Sequence, residues 1–390
     1  MTSTFRHSDL NIIKPTFDSP VTDLVIDLEK LRERRLSGTT HPQIFFQLKH
    51  IFHLLESIGS ARIEGNNTTI AEYIEIKIEG NNDVSEQIRE IQNIEKAMIF
   101  IDENIKDNSI NRAFISEVHK LIVEDLTPPP NGEGDKTPGD YRKHDLSITK
   151  STHKPPSWML VENYMNELIN FINTDQSPKY DLLKVAIAHH RFVWIHPFGN
   201  GNGRTVRLFT YAMLVKLGFN VNIGNRILNP TAIFCSDREE YYEHLSAADT
   251  NEEAGILQWC EYVLNGLKIE IEKIDKLLDY NYLKQEILFP MIDFSAERRI
   301  ITEIEGKILK VAITEQIIQA SDIKHIFPDK SQSEISRQIK KLIDKKMLIP
   351  AGAENARKYV IRFDNNYLLR GIIKVLGEKG FLPIAETKTS

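Results

Sequence analysis

Within twelve consecutive residues, His196 to Arg207, the chain reads His-Pro-Phe-Gly-Asn-Gly-Asn-Gly-Arg-Thr-Val-Arg. An imidazole that titrates near neutrality can take the proton of a hydroxyl nucleophile. Gly199, Gly201 and Gly203 permit positive φ and remove side chains, so successive backbone N–H groups can turn inward as an anion-binding nest. Thr205 to Lys216 reads as a helix, and a loop that opens a helix aims its positive end at a phosphate. Arg204 and Arg207, three apart, share one face of the first turn, where guanidinium forks suit phosphate oxygens. These are the parts needed to hold a polyphosphate beside a base. A plain surface turn would leave the histidine, both asparagines and both arginines unexplained. The run is not a P-loop, because no Gly-Lys-Ser/Thr follows. Nor is it a dinucleotide fingerprint, because Ala186 to Ile195 ahead of it reads as helix rather than strand.

The run resembles the signature of Fic proteins, His-Pro-Phe-x-Asp/Glu-Gly-Asn-Gly-Arg-x-x-Arg, at eleven of twelve positions. The exception is Asn200, where the family places a metal-binding carboxylate. A second stretch, Ser60-Ala61-Arg62-Ile63-Glu64-Gly65-Asn66, is similar to the inhibitory motif Ser/Thr-x-x-x-Glu-Gly/Asn of that family. Taken alone it is a helix end capped by Gly65. The resemblance implies that Glu64, in an inhibitory motif that begins at Ser60, pairs with the second signature arginine, Arg207. A carboxylate docked there competes for the guanidinium fork and adds negative charge where phosphate must sit.

What the resemblance implies overall is transfer of AMP from ATP to a Ser, Thr or Tyr hydroxyl of a protein, autoinhibited by Glu64. His196 would act as the base; Asn200, Gly201, Asn202, Gly203, Arg204 and Arg207 would hold the phosphates. Tyr241 and Tyr242 match a position that lines base and ribose in the family; by periodicity they read equally as core. ATP is the expected co-substrate. Mg²⁺ is expected too, weakened because an amide oxygen at Asn200 lacks the charge of a carboxylate. Two other activities stay open: removal of AMP adducts through a water positioned by Glu64, and a nucleotide-sensing DNA-binding regulator with weak or no transfer.

The elements that must position these residues are mostly helical. The sequence of 390 residues is 41% hydrophobic and 27% charged, an ordinary globular composition, and its length suggests two or three domains. No run approaches the roughly eighteen apolar residues of a membrane span, and the polar start Met1 to Asp9 lacks a signal-peptide core, so a cytoplasmic, membrane-free protein is expected. Cys235 and Cys260 are too few for a disulfide framework. A net charge of −6 argues against a globally nucleic-acid-binding surface.

The fold class expected is mainly α, a Fic-type helical core with a β-hairpin flap, plus a small C-terminal α+β winged helix. In order, 1–110 is an N-terminal helical region bearing the inhibitory motif, and 111–266 is the core with its signature at 196–207. Pro138-Gly139-Asp140-Tyr141-Arg142 and Lys154-Pro155-Pro156 resemble the ends of the Fic flap, at about 138–156. An exposed hairpin edge there would pair with an extended, hydroxyl-bearing segment of a target protein. His119 reads as a buttress, and His189 and His190 as structural, since no glutamate stands at a zinc-protease spacing.

A helical linker is expected over 267–298, a winged helix over 299–366 and a C-terminal tail over 367–390. In the winged helix, Ser331 with Glu334 forms a capping box. Residues 321–365 hold ten Lys and Arg against six Asp and Glu, and Arg337, Lys340 and Lys341 would project from the second helix. That pattern fits DNA or protein contact equally. Homo-oligomerisation is left open.

Overall fold

The computed structural model describes residues 7, 9–33, 40–80, 84–148, 153–175, 177–219, 231–352 and 357–382. Parts of the flap, of the expected wing and of the C-terminal tail fall outside those residues. In chain order the helices are α1 (Pro20–Glu33), α2 (Pro42–Glu64), α3 (Ile70–Glu79), α4 (Glu86–Asn104), α5 (Arg112–Val123), α6 (Trp158–Asn173), α7 (Asp181–Ile195) and α8 (Asn202–Lys216). They continue with α9 (Thr231–Cys235), α10 (Arg238–Ala248), α11 (Glu253–Asp275), α12 (Phe289–Glu297), α13 (Glu303–Glu315), α14 (Gln332–Asp344) and α15 (Leu368–Glu378). The strands β1 (Leu348–Pro350) and β2 (Tyr359–Ile361) pair antiparallel, Leu348 opposite Ile361. The protein is thus mainly helical. No helix among the described residues is long and apolar enough to cross a membrane.

The chain forms two compact units that are not consecutive in sequence. The first is built from Met1–Arg35, Glu56–Thr68 and Val84–Glu272, the second from Leu36–Leu55, Thr69–Asp83 and Lys273–Ser390. Helix α2 therefore gives its first turns to the second unit and its last turns, with Ser60 and Glu64, to the first.

In the first unit α7 and α8 lie at the centre, with α4, α5 and α6 packed around them. Both central helices are buried almost all round: Leu182 to Phe192, Trp194 and Ile195 on α7, and Asn202 and Arg204 to Val215 on α8. A helix buried on every side can exist only where others cover it. Pro197 ends α7, since the residue before a proline leaves the α region. His196 takes a left-handed φ of 52°, and Gly201, φ 73°, starts α8. The signature loop thus runs from a helix C-terminus to a helix N-terminus.

In the second unit, α13 is followed by a short 3-10 turn at Lys324–Ile326, α14 and the β1–β2 ribbon. Ile318 adds an isolated bridge to Tyr359. The capping box expected at the start of α14 forms: Ser331 donates its N–H to Glu334 Oε2 at 2.9 Å. The first half of α2 packs here too, with Gln47 donating to Ile361 O at 2.9 Å and accepting from Phe363 N at 2.8 Å. Residues 368–378, assigned to the tail from sequence, instead form α15. Its Leu368, Leu369, Ile372, Ile373, Val375 and Leu376 are buried, and it packs on α12.

Candidate active site

His196 is half-buried at the end of α7. Its left-handed backbone, unfavourable for a residue with a Cβ, is held by its own N–H to Phe192 O at 3.0 Å and by Arg142, whose Nε donates to His196 O at 2.9 Å. Nδ1 lies 3.3 Å from Val193 O; a carbonyl only accepts, so Nδ1 carries the hydrogen and Nε2 is left with its lone pair. Burial lowers the pKa of this histidine to about 4, with Arg142 adding to the effect and Glu64 opposing it. The imidazole is therefore neutral at physiological pH, as a base must be.

Three residues outside the signature fix the loop. His119 stacks on Phe198 at 3.7 Å between ring centroids, donates from Nε2 to Asn200 O at 3.0 Å and accepts at Nδ1 from Gly139 N at 2.8 Å. Asp135 accepts the Asn200 N–H at 2.8 Å and that of Thr137 at 2.8 Å. Arg142 also donates to His144 O and Pro156 O, at 3.0 and 2.6 Å, so one buried guanidinium ties both arms of the flap segment to the histidine. Sequence reading assigned His119 a buttressing role but gave Asp135 and Arg142 none. Their signal lay in the folded surroundings: a carboxylate and a guanidinium so buried must have partners.

Asn202, expected to hold phosphate, spends its side chain elsewhere: Oδ1 accepts from Phe198 N and Nδ2 donates to Phe198 O, both at 2.9 Å. Asn200 donates from Nδ2 to Gly134 O at 3.1 Å. Its amide oxygen is a neutral donor, and the nearby Asp135 carboxylate is committed to backbone N–H groups. These residues do not make a carboxylate metal site. Tyr241 is buried, its hydroxyl 3.0 Å from His189 Nε2, whereas Tyr242 is exposed with Arg238 over its ring.

Both signature arginines are 1% exposed and gripped by carboxylates. Arg207 donates from Nε to Ser60 Oγ at 2.9 Å, and from Nη2 to Ser60 O at 2.9 Å and Glu64 Oε1 at 2.7 Å. Burial alone would raise the pKa of Glu64, but Arg207 and then Arg204 outweigh it and hold the carboxyl below its ordinary value. That carboxylate stands over the start of α8: a Cβ on Gly203 would lie 2.1 Å from Glu64 Oε1. Gly203 is thus needed for this contact, and an acidic oxygen sits where a helix N-terminus and a guanidinium would receive phosphate. Arg204 donates to Glu90 Oε1 at 2.8 Å, to Glu133 O at 2.8 Å and to Glu133 Oε2 at 3.1 Å. Neither Glu90 nor Glu133 was singled out from sequence.

Residues 109–214 match the Fic/DOC family. The chain is 28% identical over 213 residues to a protein adenylyltransferase Fic of Nematostella vectensis, covering 53% of this chain and 44% of that one. It is 27% identical over 208 residues to a protein of the same name from Aedes aegypti, covering 52% and 37%. The chain thus spans less than half the length of these relatives. A Fic family protein of Desulfovibrio desulfuricans G20 shares the fold with a TM-score of 0.55 at 16% identity, over 90% of this chain and 98% of that one. Fic-1 of C. elegans does so with a TM-score of 0.51 at 20% identity, over 65% and 71%.

Proposed function

From the Fic/DOC domain at residues 109–214, we propose that this chain is a protein adenylyltransferase held in check by Glu64. The reaction joins a Ser, Thr or Tyr hydroxyl of a target protein to the α-phosphorus of ATP. The hydroxyl oxygen forms the new P–O bond, the bond from the α-phosphorus to the bridging oxygen of the β-phosphate breaks, and pyrophosphate leaves. His196 Nε2 takes the hydroxyl proton. Gly201 and Gly203 let backbone N–H groups approach the phosphates, and Arg204 and Arg207 meet the charge that develops on the leaving group. Mg²⁺ would enter with the nucleotide, held chiefly by phosphate oxygens, with Asn200 Oδ1 as the protein donor nearest the family's metal position. The target would lie as an extended segment along the flap. Both cysteines are free, which agrees with a cytoplasmic setting.

The observation that carries this reading is the Glu64 carboxylate on Arg207, over Gly203: an anion of the protein's own occupies the anion site beside a neutral base. Intact-mass spectrometry after incubation with ATP and Mg²⁺ tests it. Addition of one AMP mass to Glu64→Gly, absent from the wild type and from Glu64→Gly/His196→Ala, is expected. A gain that survives loss of His196 would refute the assigned base.

A second role is supported by α14, where Arg337, Lys340 and Lys341 are exposed beside a β-ribbon. Three cations on one helix suit phosphates flanking a DNA groove. Salt-dependent binding to duplex DNA that weakens on Arg337→Ala/Lys340→Ala is the expected result; unchanged binding removes this role.

A further inference from the structure

Glu90, in the second turn of α4, is 3% exposed and lies between two donors. Arg204 Nη1 reaches its Oε1 at 2.8 Å, and Asn66 Nδ2 reaches its Oε2 at 2.7 Å. Asn66 stands two residues beyond Glu64, past a turn that requires Gly65 at φ 110°. Every polar atom of its amide is used: Nδ2 also donates to Gln87 O at 2.9 Å, and Oδ1 accepts from Thr68 N at 2.9 Å. The end of α2 is therefore fastened to both signature arginines, to Arg207 directly by Ser60 and Glu64, and to Arg204 through Asn66 and Glu90.

The two fastenings differ in kind. Glu64 is a partly exposed side chain at the last residue of its helix. Glu90 is enclosed and mounted inside a helix. It engages a single nitrogen of Arg204, whose Nε has no hydrogen-bond partner among the described residues. A carboxylate so placed orients the guanidinium through Nη1, while Nη2 is held by Glu133. Its partner Asn66 gains a rigid, charged anchor, and hydrogen bonds to charged groups are the stronger kind.

We propose that Asn66 is the positioning residue of the Glu64 brake, acting through Glu90, so that the turn carrying Glu64 stays registered on Arg207 only while Asn66 is seated on the carboxylate that holds Arg204. This rests on the adenylyl-transfer reading in treating Glu64 as a competitor of nucleotide. Loosening the turn then relieves the competition, and does so only when residue 64 is a glutamate.

The test is ATP affinity by calorimetry with Mg²⁺ present, in a His196→Ala background so that no turnover occurs, for four full-length proteins: the background, Asn66→Ala, Glu64→Gly and both together. Asn66→Ala is expected to tighten ATP about tenfold when Glu64 is present, the worth of one hydrogen bond to a charged group, and less than about twofold when it is combined with Glu64→Gly. An equal effect in both backgrounds, or none beside Glu64, overturns the proposal, because a merely structural asparagine would act irrespective of residue 64. If Asn66→Ala does not fold, Asn66→Ser serves in its place with the same expectation. Absence of AMP transfer by Glu64→Gly would refute the transfer reading and leave this binding test standing. Absence of ATP binding in all four proteins removes the competitor premise and the proposal with it.

Discussion

Replacing Glu64 by glycine removes the only carboxylate on Arg207 among the described residues, and the cost to stability follows from the surroundings of that arginine. Stripping one partner from a buried ion pair costs about 3–5 kcal/mol when the other charge is stranded. Here the Glu64 side chain is 26% exposed, and Ser60 keeps both of its bonds to Arg207. The loss is then about 1–3 kcal/mol. At about 2–4 °C per kcal/mol for a unit of this size, the melting temperature falls by roughly 2–12 °C. ATP should reverse this. A ligand at a hundred times its Kd adds about 2.7 kcal/mol, and in Glu64→Gly the phosphates meet a free Arg207, whereas in the wild type they must first displace the carboxylate. Differential scanning fluorimetry of both proteins, with and without ATP and Mg²⁺, reads all four numbers. The mutant should start lower and rise further. A mutant as stable as the wild type, or an equal rise in both, would refute the claim that Glu64 holds the anion site against nucleotide.

Gly203→Ala offers an independent check, because the added methyl would stand 2.1 Å from Glu64 Oε1. It should cost about 1–2 kcal/mol in the wild type by expelling that carboxylate, and be neutral or slightly stabilising in Glu64→Gly, where alanine is simply the better helix former; equal costs in denaturant titrations of the two backgrounds would exclude the contact. Asn202→Ala leaves the N–H and C=O of buried Phe198 without their partner, so a loss of about 2–3 kcal/mol together with most transfer activity is expected from unfolding curves and mass assays. The pH profile of transfer should show the limb due to His196 near pH 4 rather than 6.5, since burial depresses that pKa to about 4. The sign is fixed: the unfolded chain binds this proton more readily than the folded one, so stability falls as pH drops from about 6.5 towards 4. A half-maximal rate near pH 6.5 in Glu64→Gly would contradict the half-buried, neutral base.

The signature loop was legible because its chemistry is local. Glycines at 199, 201 and 203, a His-Pro helix stop and two arginines one turn apart impose the same loop-to-helix geometry on any chain that carries them. Glu64 was legible only through the resemblance of Ser60 to Asn66 to the family's inhibitory motif, because taken alone the stretch reads as a helix end capped by Gly65. Glu90 left a fainter trace: on α4 it shares a stripe with Ile94, Ala97 and Ile101, an acid on an apolar face, and that pattern alone does not name its partner. Asp135 left none, lying in an irregular segment rich in glycine and proline. The amphipathic period of residues 368–378 was present in the sequence, between Asp364-Asn365-Asn366 and Gly380, yet those residues were assigned to the tail.

What the sequence by itself determined is the inventory of candidate residues and its order: an imidazole, a glycine-rich loop, two arginines and a carboxylate, each defined by residues within one or two helical turns. Tertiary structure alone decided where the charges go. It buries Arg204 and Arg207 and so obliges Glu90, Glu133 and Glu64 to converge on them from distant segments. It gives the Asn202 side chain to Phe198, and it divides α2 between two units whose boundaries no local pattern marks. The physical reason is that an uncompensated buried charge is prohibitive, while its compensation can come from any distance along the chain.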